Sequence, residues 1–126
     1  MLSGRQATGR RAEELAAQFL RAQGLQILQR NYRRRLGELD IVARGEDVLV
    51  VAEVRSRASD AFGGAAASVG WRKRQRITRA ASALLQQHPE FARLAVRFDV
   101  LIVTDPFSPT PRIEWLRHAF EASWGG

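Results

Sequence analysis

Cysteine does not occur in this chain of 126 residues, which rules out disulfides and thiolate metal sites. Histidine occurs twice, at His88 and His118, and neither has a partner at a metal-binding spacing; both read as surface or helix-end residues. Any metal would therefore rest mainly on oxygen ligands. No apolar run approaches the roughly 20 residues that a membrane span needs. Residues 1–11 are polar and basic, without the apolar stretch of a signal peptide. These gaps lead us to expect a cytoplasmic protein with no membrane association. The length is that of one domain, taken here as 1–126, long enough to bury a core without staples.

The charges are one-sided. Lys plus Arg number 20 and Asp plus Glu 13, a net charge of +7. Lys73 is the only lysine, so nineteen of the twenty cations are arginine. High-GC coding can produce that ratio, and simple solubility can account for the sign. Arginine is also the better phosphate reader, because its planar fork matches two phosphate oxygens. The balance favours an anionic partner, with nucleic acid ahead of an acidic membrane surface.

Periodicity predicts a helix over 7–23, with Thr8 as its cap and Gly24 as its stop. Leu25 to Arg30 reads as a short strand, 31–36 as a basic stretch, and 38–43 as a second strand. After a turn at 44–47, Val48 to Val54 (VLVVAEV) reads as a buried central strand. The segment 57–70 is rich in Gly, Ala and Ser and reads as a mobile loop, a candidate flap over a substrate groove. It lacks the lysine-hydroxyl pair of a phosphate-binding loop. A second helix is predicted over 71–88, strands over 94–103 and 112–116, and a brief helix with a frayed tail from 117 to 126. The order α-β-β-β-α-β-β implies an α/β fold, a mixed five-stranded sheet flanked by helices.

Four polar residues stand out on the strands. Glu38 and Asp40 are two apart, as are Glu53 and Arg55, so each pair can share a face. If the turn at 44–47 makes an antiparallel hairpin, Asp40 and Glu53 meet, although a slip of one residue would separate them. A carboxylate within VLVVAEV is costly unless paired or bound to a cation, and Mg²⁺ between two carboxylates would relieve their repulsion. An Asp40–Arg55 or Glu53–Arg55 salt bridge without metal explains the spacing equally well. Glu13 lies at the edge of the first helix's apolar stripe and can face the sheet, or merely complement the helix N-terminus. Lys73 lies on the inward stripe of the second helix, four residues before Ile77, where it can also snorkel along apolar surface. In RFDV, 97–100, Arg97 and Asp99 share a face and read as a buried structural ion pair.

Glu13, then GELDIVA at 37–43, then VVAEVRSR at 50–57 resemble the PD-(D/E)XK nuclease superfamily. Within it the chain resembles the YraN family of small bacterial proteins, from about Gly9 to Val103. GRRAEELAAQFLRAQG, the Arg-Asn junction at 30 and 31, FGGAAASV at 62–69, Lys73 and RFDV support the likeness. It is also similar to archaeal Holliday junction resolvases. The resemblance implies a restriction-endonuclease-like core with its site on the central hairpin. Carried over by residue, it implies Asp40 and Glu53 as metal ligands, the Val54 carbonyl as another oxygen, and Glu13 as a ligand through water. The metal implied is Mg²⁺ or Mn²⁺. Two departures occur: Ala12 stands where the family often has glycine, and Arg55 where the superfamily has lysine. Arginine stays protonated and cannot be a general base, though it can stabilise a charged transition state.

Two functions follow. The first is a metal-dependent endonuclease acting on DNA, with branched DNA among its candidate substrates. Asp40, Glu53, Arg55, Lys73 and Glu13 would form its site. Arg33, Arg34, Arg35, Arg57, Arg72 and Arg76 would contact phosphates; Trp71 is a candidate to stack on a base, although an aromatic at a helix start more often packs. The second is a nucleic-acid-binding module whose site has lost catalysis. A basic face docking an acidic protein is a third possibility. DNA is placed ahead of RNA by resemblance alone, and a resolvase-like role would favour a homodimer.

Overall fold

A computed structural model describes residues 3–58 and 68–122. Helix α1 spans Gly4–Ala22. Ser3, rather than Thr8, caps it: Ser3 and Gln6 form a reciprocal capping box, while the Thr8 hydroxyl donates to the Gly4 carbonyl at 2.8 Å. At its end Gly24 has φ +90°. The Gly24 N–H donates to the Arg21 carbonyl and the Leu25 N–H to that of Leu20, so two orphan carbonyls are satisfied and the helix stops.

The remaining elements are β1 (Gln26–Arg34), β2 (Gly37–Arg44), β3 (Val48–Arg57), α2 (Trp71–Gln87), β4 (Ala95–Thr104) and β5 (Arg112–Phe120). A single 3-10 turn, Pro89–Phe91, follows α2. The sheet order is β1-β2-β3-β4-β5. Only β3 and β4 are parallel, joined by the α2 crossover; the other neighbours are antiparallel. The fold is thus the expected α/β arrangement, a mixed five-stranded sheet flanked by two helices.

Each face of the sheet buries its own layer. Ala12, Ala16, Ala17 and Leu20 of α1 cover Ile41, Ala43, Val50, Ala52, Leu101 and Val103. Ile77, Ala80, Ala81 and Leu84 of α2 cover Leu39, Val42, Leu49, Val51, Val100 and Ile102. A central strand lies between two apolar layers, which is why 48–52 reads as continuous apolar sequence without a polar alternation. The small α1 residues let that helix lie close to the sheet. Among the described residues no helix is long and apolar enough to cross a membrane.

Three boundaries differ from the sequence reading. β1 continues through the basic stretch to Arg34, and Arg34 pairs with Gly37, leaving Arg35 and Leu36 as a two-residue turn. β3 runs on to Arg57, so that arginine is on a strand; most of the expected flap, 59–67, falls outside the described residues. The helix expected after Arg117 is instead the end of β5. Asp99 causes this. It is fully buried and accepts from Arg97 at 2.9 and 2.8 Å, from Trp115 Nε1 at 2.9 Å and from the His118 N–H at 2.9 Å. The last bond holds His118 at φ +53° inside a bulge. Beyond it Phe120 stacks on Phe98 with ring centroids 5.1 Å apart. The Arg97–Asp99 pair read from RFDV is present as a structural bridge.

Candidate functional site

The site forms where β2 and β3 part. Their pairing runs from Arg44↔Leu49 to Ile41↔Ala52 and stops one step short of Asp40 and Glu53. Leu39 and Ile41 would share a face of a regular strand, yet they belong to opposite layers. On β1, Asn31 lies between the partners of Ile41 and Leu39 and has φ +53°, a left-handed geometry that asparagine tolerates. The paired strands therefore rotate at Asn31 and Asp40. Asp40 turns across the opening, and its Oδ2 accepts a 2.9 Å bond from the Val54 N–H. A strand residue presents its N–H and C=O to the same neighbour. The Val54 carbonyl thus faces the same opening, beyond the end of the β2 ladder.

Glu53 projects from the α2 face of β3 and is 7% exposed. The carboxyls of Asp40 and Glu53 lie within electrostatic reach of each other. Burial first, then the charge of Asp40, pushes the Glu53 carboxyl up to about 7. Burial also raises Asp40, against the Val54 N–H bond, which favours its anion. Lys73 reaches in from the first turn of α2, with Nζ 3.4 Å from Glu53 Oε1. Arg55, two residues along β3, places Nε 3.5 Å from the same oxygen. The salt-bridge alternative is thus physically present for Glu53, with both cations converging on one atom.

Glu13 approaches from α1. Its carboxyl is raised by burial and then by the charge of Asp40, which places it within electrostatic reach of the pair. Asn31 hydrogen-bonds it. Arg30 Nε stands 3.9 Å from Glu13 Oε1, while Arg30 Nη1 bonds Glu14 at 2.8 Å. Glu13 Oε1, Arg30 Nε and Arg55 Nε are the buried side-chain polar atoms left without a hydrogen bond among the described residues. All three belong to this one site. Buried polar atoms are rarely left unsatisfied, and their concentration here is what an absent polar or charged ligand would leave.

A groove of about 640 Å³ opens beside the pair, lined by Gln6, Gly9, Arg10, Glu13, Asn31, Arg33, Glu38 and Asp40. Of the arginines singled out from sequence, Arg33 borders this groove and lies 3.7 Å from Glu38. Arg34 is held over the Tyr32 ring at 4.1 Å and donates to Gln87 at 2.9 Å. Arg35, Arg72 and Arg76 are exposed. Arg57 is not with them: it lies at the far end of β3, bonds Thr104 at 3.2 Å and lines a separate 450 Å³ pocket with Thr8 and Phe107.

The donor set fits a hard divalent cation, which favours carboxylate and backbone carbonyl oxygens and keeps several waters. Asp40, Glu53 and the Val54 carbonyl supply such oxygens, and the Glu13 oxygen that lacks a hydrogen bond borders them. Among the described residues, no three acidic or imidazole side chains converge as a ready cage. The set is two carboxylates and a carbonyl with Glu13 behind them.

Several contributors were not read as site residues. Arg30 stands beside Glu13 while bonding Glu14, and Asn31 supplies the strand rotation; only their place in the resembling Arg-Asn junction marked them. Gly37 lies so close to α2 that a Cβ there would meet the Arg76 carbonyl oxygen at 2.0 Å. Arg10 borders the groove from the exposed side of α1.

Fold and site together define a two-helix mixed α/β domain, with a buried acid pair at the end of its central hairpin and a lysine delivered by the crossover helix. Residues 12–103 match the uncharacterised protein family UPF0102, and the chain belongs to it; this is the YraN family of the resemblance. A UPF0102 protein of Pseudomonas aeruginosa strain LESB58 is 48% identical over 116 residues, covering 90% of this chain and 92% of the relative. One from Stutzerimonas stutzeri is 44% identical over 121 residues, covering 96% and 100%. One from Bordetella avium is 49% identical over 117 residues, covering 93% and 77%.

Proposed function

We propose that this protein is a nucleic-acid-binding, divalent-metal-dependent endonuclease of the PD-(D/E)XK type, acting on DNA. The carrying observation is the buried Asp40–Glu53 pair at the splayed end of β2 and β3, with Asp40 tied to the Val54 N–H and Lys73 3.4 Å from Glu53. In this reading Asp40, Glu53 and the Val54 carbonyl hold Mg²⁺ or Mn²⁺, and Glu13 contributes through water. The metal, when bound, acidifies a water and offsets charge building on a phosphate. Lys73 and Arg55 flank the acid pair, where their charges stabilise phosphate oxygens. Lys73 occupies the role of the superfamily's strand lysine from a helix. Arg10 and Arg33 border the groove and hold the phosphate backbone.

The test is a cleavage screen with Mg²⁺ and Mn²⁺ on linear, nicked, flap and four-way DNA, run beside Asp40→Asn and Glu53→Gln. The expected result is divalent-dependent cleavage abolished by either substitution. Intact substrates throughout would overturn the catalytic reading.

One observation favours a second reading, a binding module without turnover. Arg55 replaces the lysine, and with Lys73 it already flanks Glu53 without a metal. That reading expects salt-sensitive binding that ignores divalent ions and survives Asp40→Asn.

A further inference from the structure

The β1–β2 turn carries a leucine in the open. Leu36 is 58% exposed and forms the tip with Arg35, between the paired Arg34 and Gly37. Single exposed apolar side chains are ordinary on protein surfaces. This one differs in its mounting and in its neighbours.

The mounting is rigid. Gly37, directly after the tip, is buried and lies against the backbone of α2, with no room for even a methyl group before the Arg76 carbonyl. On the other strand Arg34 is held by Tyr32 and by Gln87 of α2. Both legs of the turn are therefore fixed to α2, and Leu36 projects from a braced point.

The neighbours are cationic. Arg35 is exposed on the tip, and Arg33 is exposed two residues back on β1, 3.7 Å from Glu38. Arg76 is exposed where Gly37 touches α2, and Arg72 lies one helical turn before it on the same row. An exposed apolar side chain on a turn, with exposed arginines beside it in sequence and on the adjoining helix, matches the means by which proteins open duplex nucleic acid: cations hold the phosphates while an apolar side chain enters between base steps. We infer that Leu36 is a wedge that unstacks bases in a nucleic-acid duplex, with Arg33, Arg35 and Arg76 gripping the flanking phosphates. This rests on the nucleic-acid reading above and deepens it by assigning the preference for branched or distorted substrate. Leu36 precedes Asp40 by four strand residues, about 13 Å at ~3.3 Å per residue. That is about four base steps at ~3.4 Å, so a strand freed at the wedge lies within reach of the groove.

The test uses the full chain in EDTA, so that cleavage does not interfere. Four-way and fork duplexes carry 2-aminopurine at successive positions beside the branch, and fluorescence is read together with binding. The wild-type chain is expected to raise fluorescence several-fold at one or two positions. Leu36→Ala is expected to bind within about threefold of wild type and leave fluorescence flat, with Leu36→Phe restoring it. Arg35→Ala is expected to weaken binding and reduce the salt slope by about one. Binding by the wild type without unstacking, or unstacking by Leu36→Ala, would overturn the wedge while leaving the nucleic-acid reading in place. A wild-type chain that binds none of these duplexes would overturn both.

Discussion

The Val54 N–H donates to Asp40 Oδ2 at 2.9 Å, a bond between residues whose strands have already stopped pairing. It fixes the aspartate side chain to the backbone of β3 rather than to a neighbour on its own strand. It also leaves Asp40's other oxygen and the Val54 carbonyl at the same opening.

Asp40→Asn should keep this bond, because the asparagine carbonyl can accept the same N–H, and should therefore fold. It should lose the charge that a divalent ion needs. At a Mn²⁺ concentration 100-fold above its dissociation constant, the wild-type chain gains about 2.7 kcal/mol, a rise in Tm on the order of 10 °C for a domain this size. Asp40→Asn should show little of that rise in a thermal scan. Equal shifts in both proteins would rule out the proposed ligand set.

Stability should fall as pH rises through the acid pair's range in metal-free protein. The folded Glu53 carboxyl titrates at about 7 against an ordinary 4.5. The folded state therefore binds more protons between those values. Stabilisation from the retained proton is complete below about 4.5 and is lost as pH passes 7. The difference is on the order of 3 kcal/mol, and the raised Asp40 and Glu13 carboxyls have the same sign. Glu53→Gln should flatten this slope in denaturant titrations at pH 5 and pH 8. A wild-type protein more stable at pH 8, in EDTA, would contradict the assignment.

Gly37→Ala should be far more damaging than an exposed glycine substitution. Its methyl group would sit 2.0 Å from the Arg76 carbonyl oxygen, backbone that can give way only if α2 shifts. A cost of about 3 kcal/mol or more is expected. Gly9→Ala meets nothing within 4 Å on α1 and should stabilise by about 0.5–1 kcal/mol. Urea unfolding of the two variants checks the contrast.

Asp99→Ala should cost about 3–5 kcal/mol, because it strands the Arg97 guanidinium, the Trp115 indole N–H and the His118 N–H at once. The end of β5 should loosen first. Faster amide exchange at 117–120 than at 112–116 would report it; uniform exchange along β5 would argue against this role.

The parts of the site legible in sequence were those governed by simple periodicity. Lys73 falls four residues before Ile77, so its inward position followed from helical spacing. Glu53 falls within an apolar run that had to be a central strand, which made its carboxyl conspicuous. The hairpin at Arg35 and Leu36 was not legible, because no glycine, asparagine or aspartate marks its two turn positions. The positive-φ residues of the described chain are Gly24, Asn31, Asp105 and His118, and neither turn residue is among them. The rotation at Asn31 also breaks the alternation on which a strand reading rests, so Asp40's sideways direction came from the partner strand. The length of β5 depended on Asp99, more than ten residues away in sequence, and a local pattern cannot carry that.

The crossover between the two parallel strands has a consequence for how the molecule comes into being. Glu13, Asp40 and Glu53 all lie in the first half of the chain, whereas Lys73 arrives on the helix that must swing over before β4 can dock. A domain generally folds as a unit, yet synthesis delivers these acids before the helix. A nascent chain halted before residue 71 carries Glu53 with Arg55, one of its two cations, and without Lys73, the other. The second counter-charge is in place only when the second helix lands.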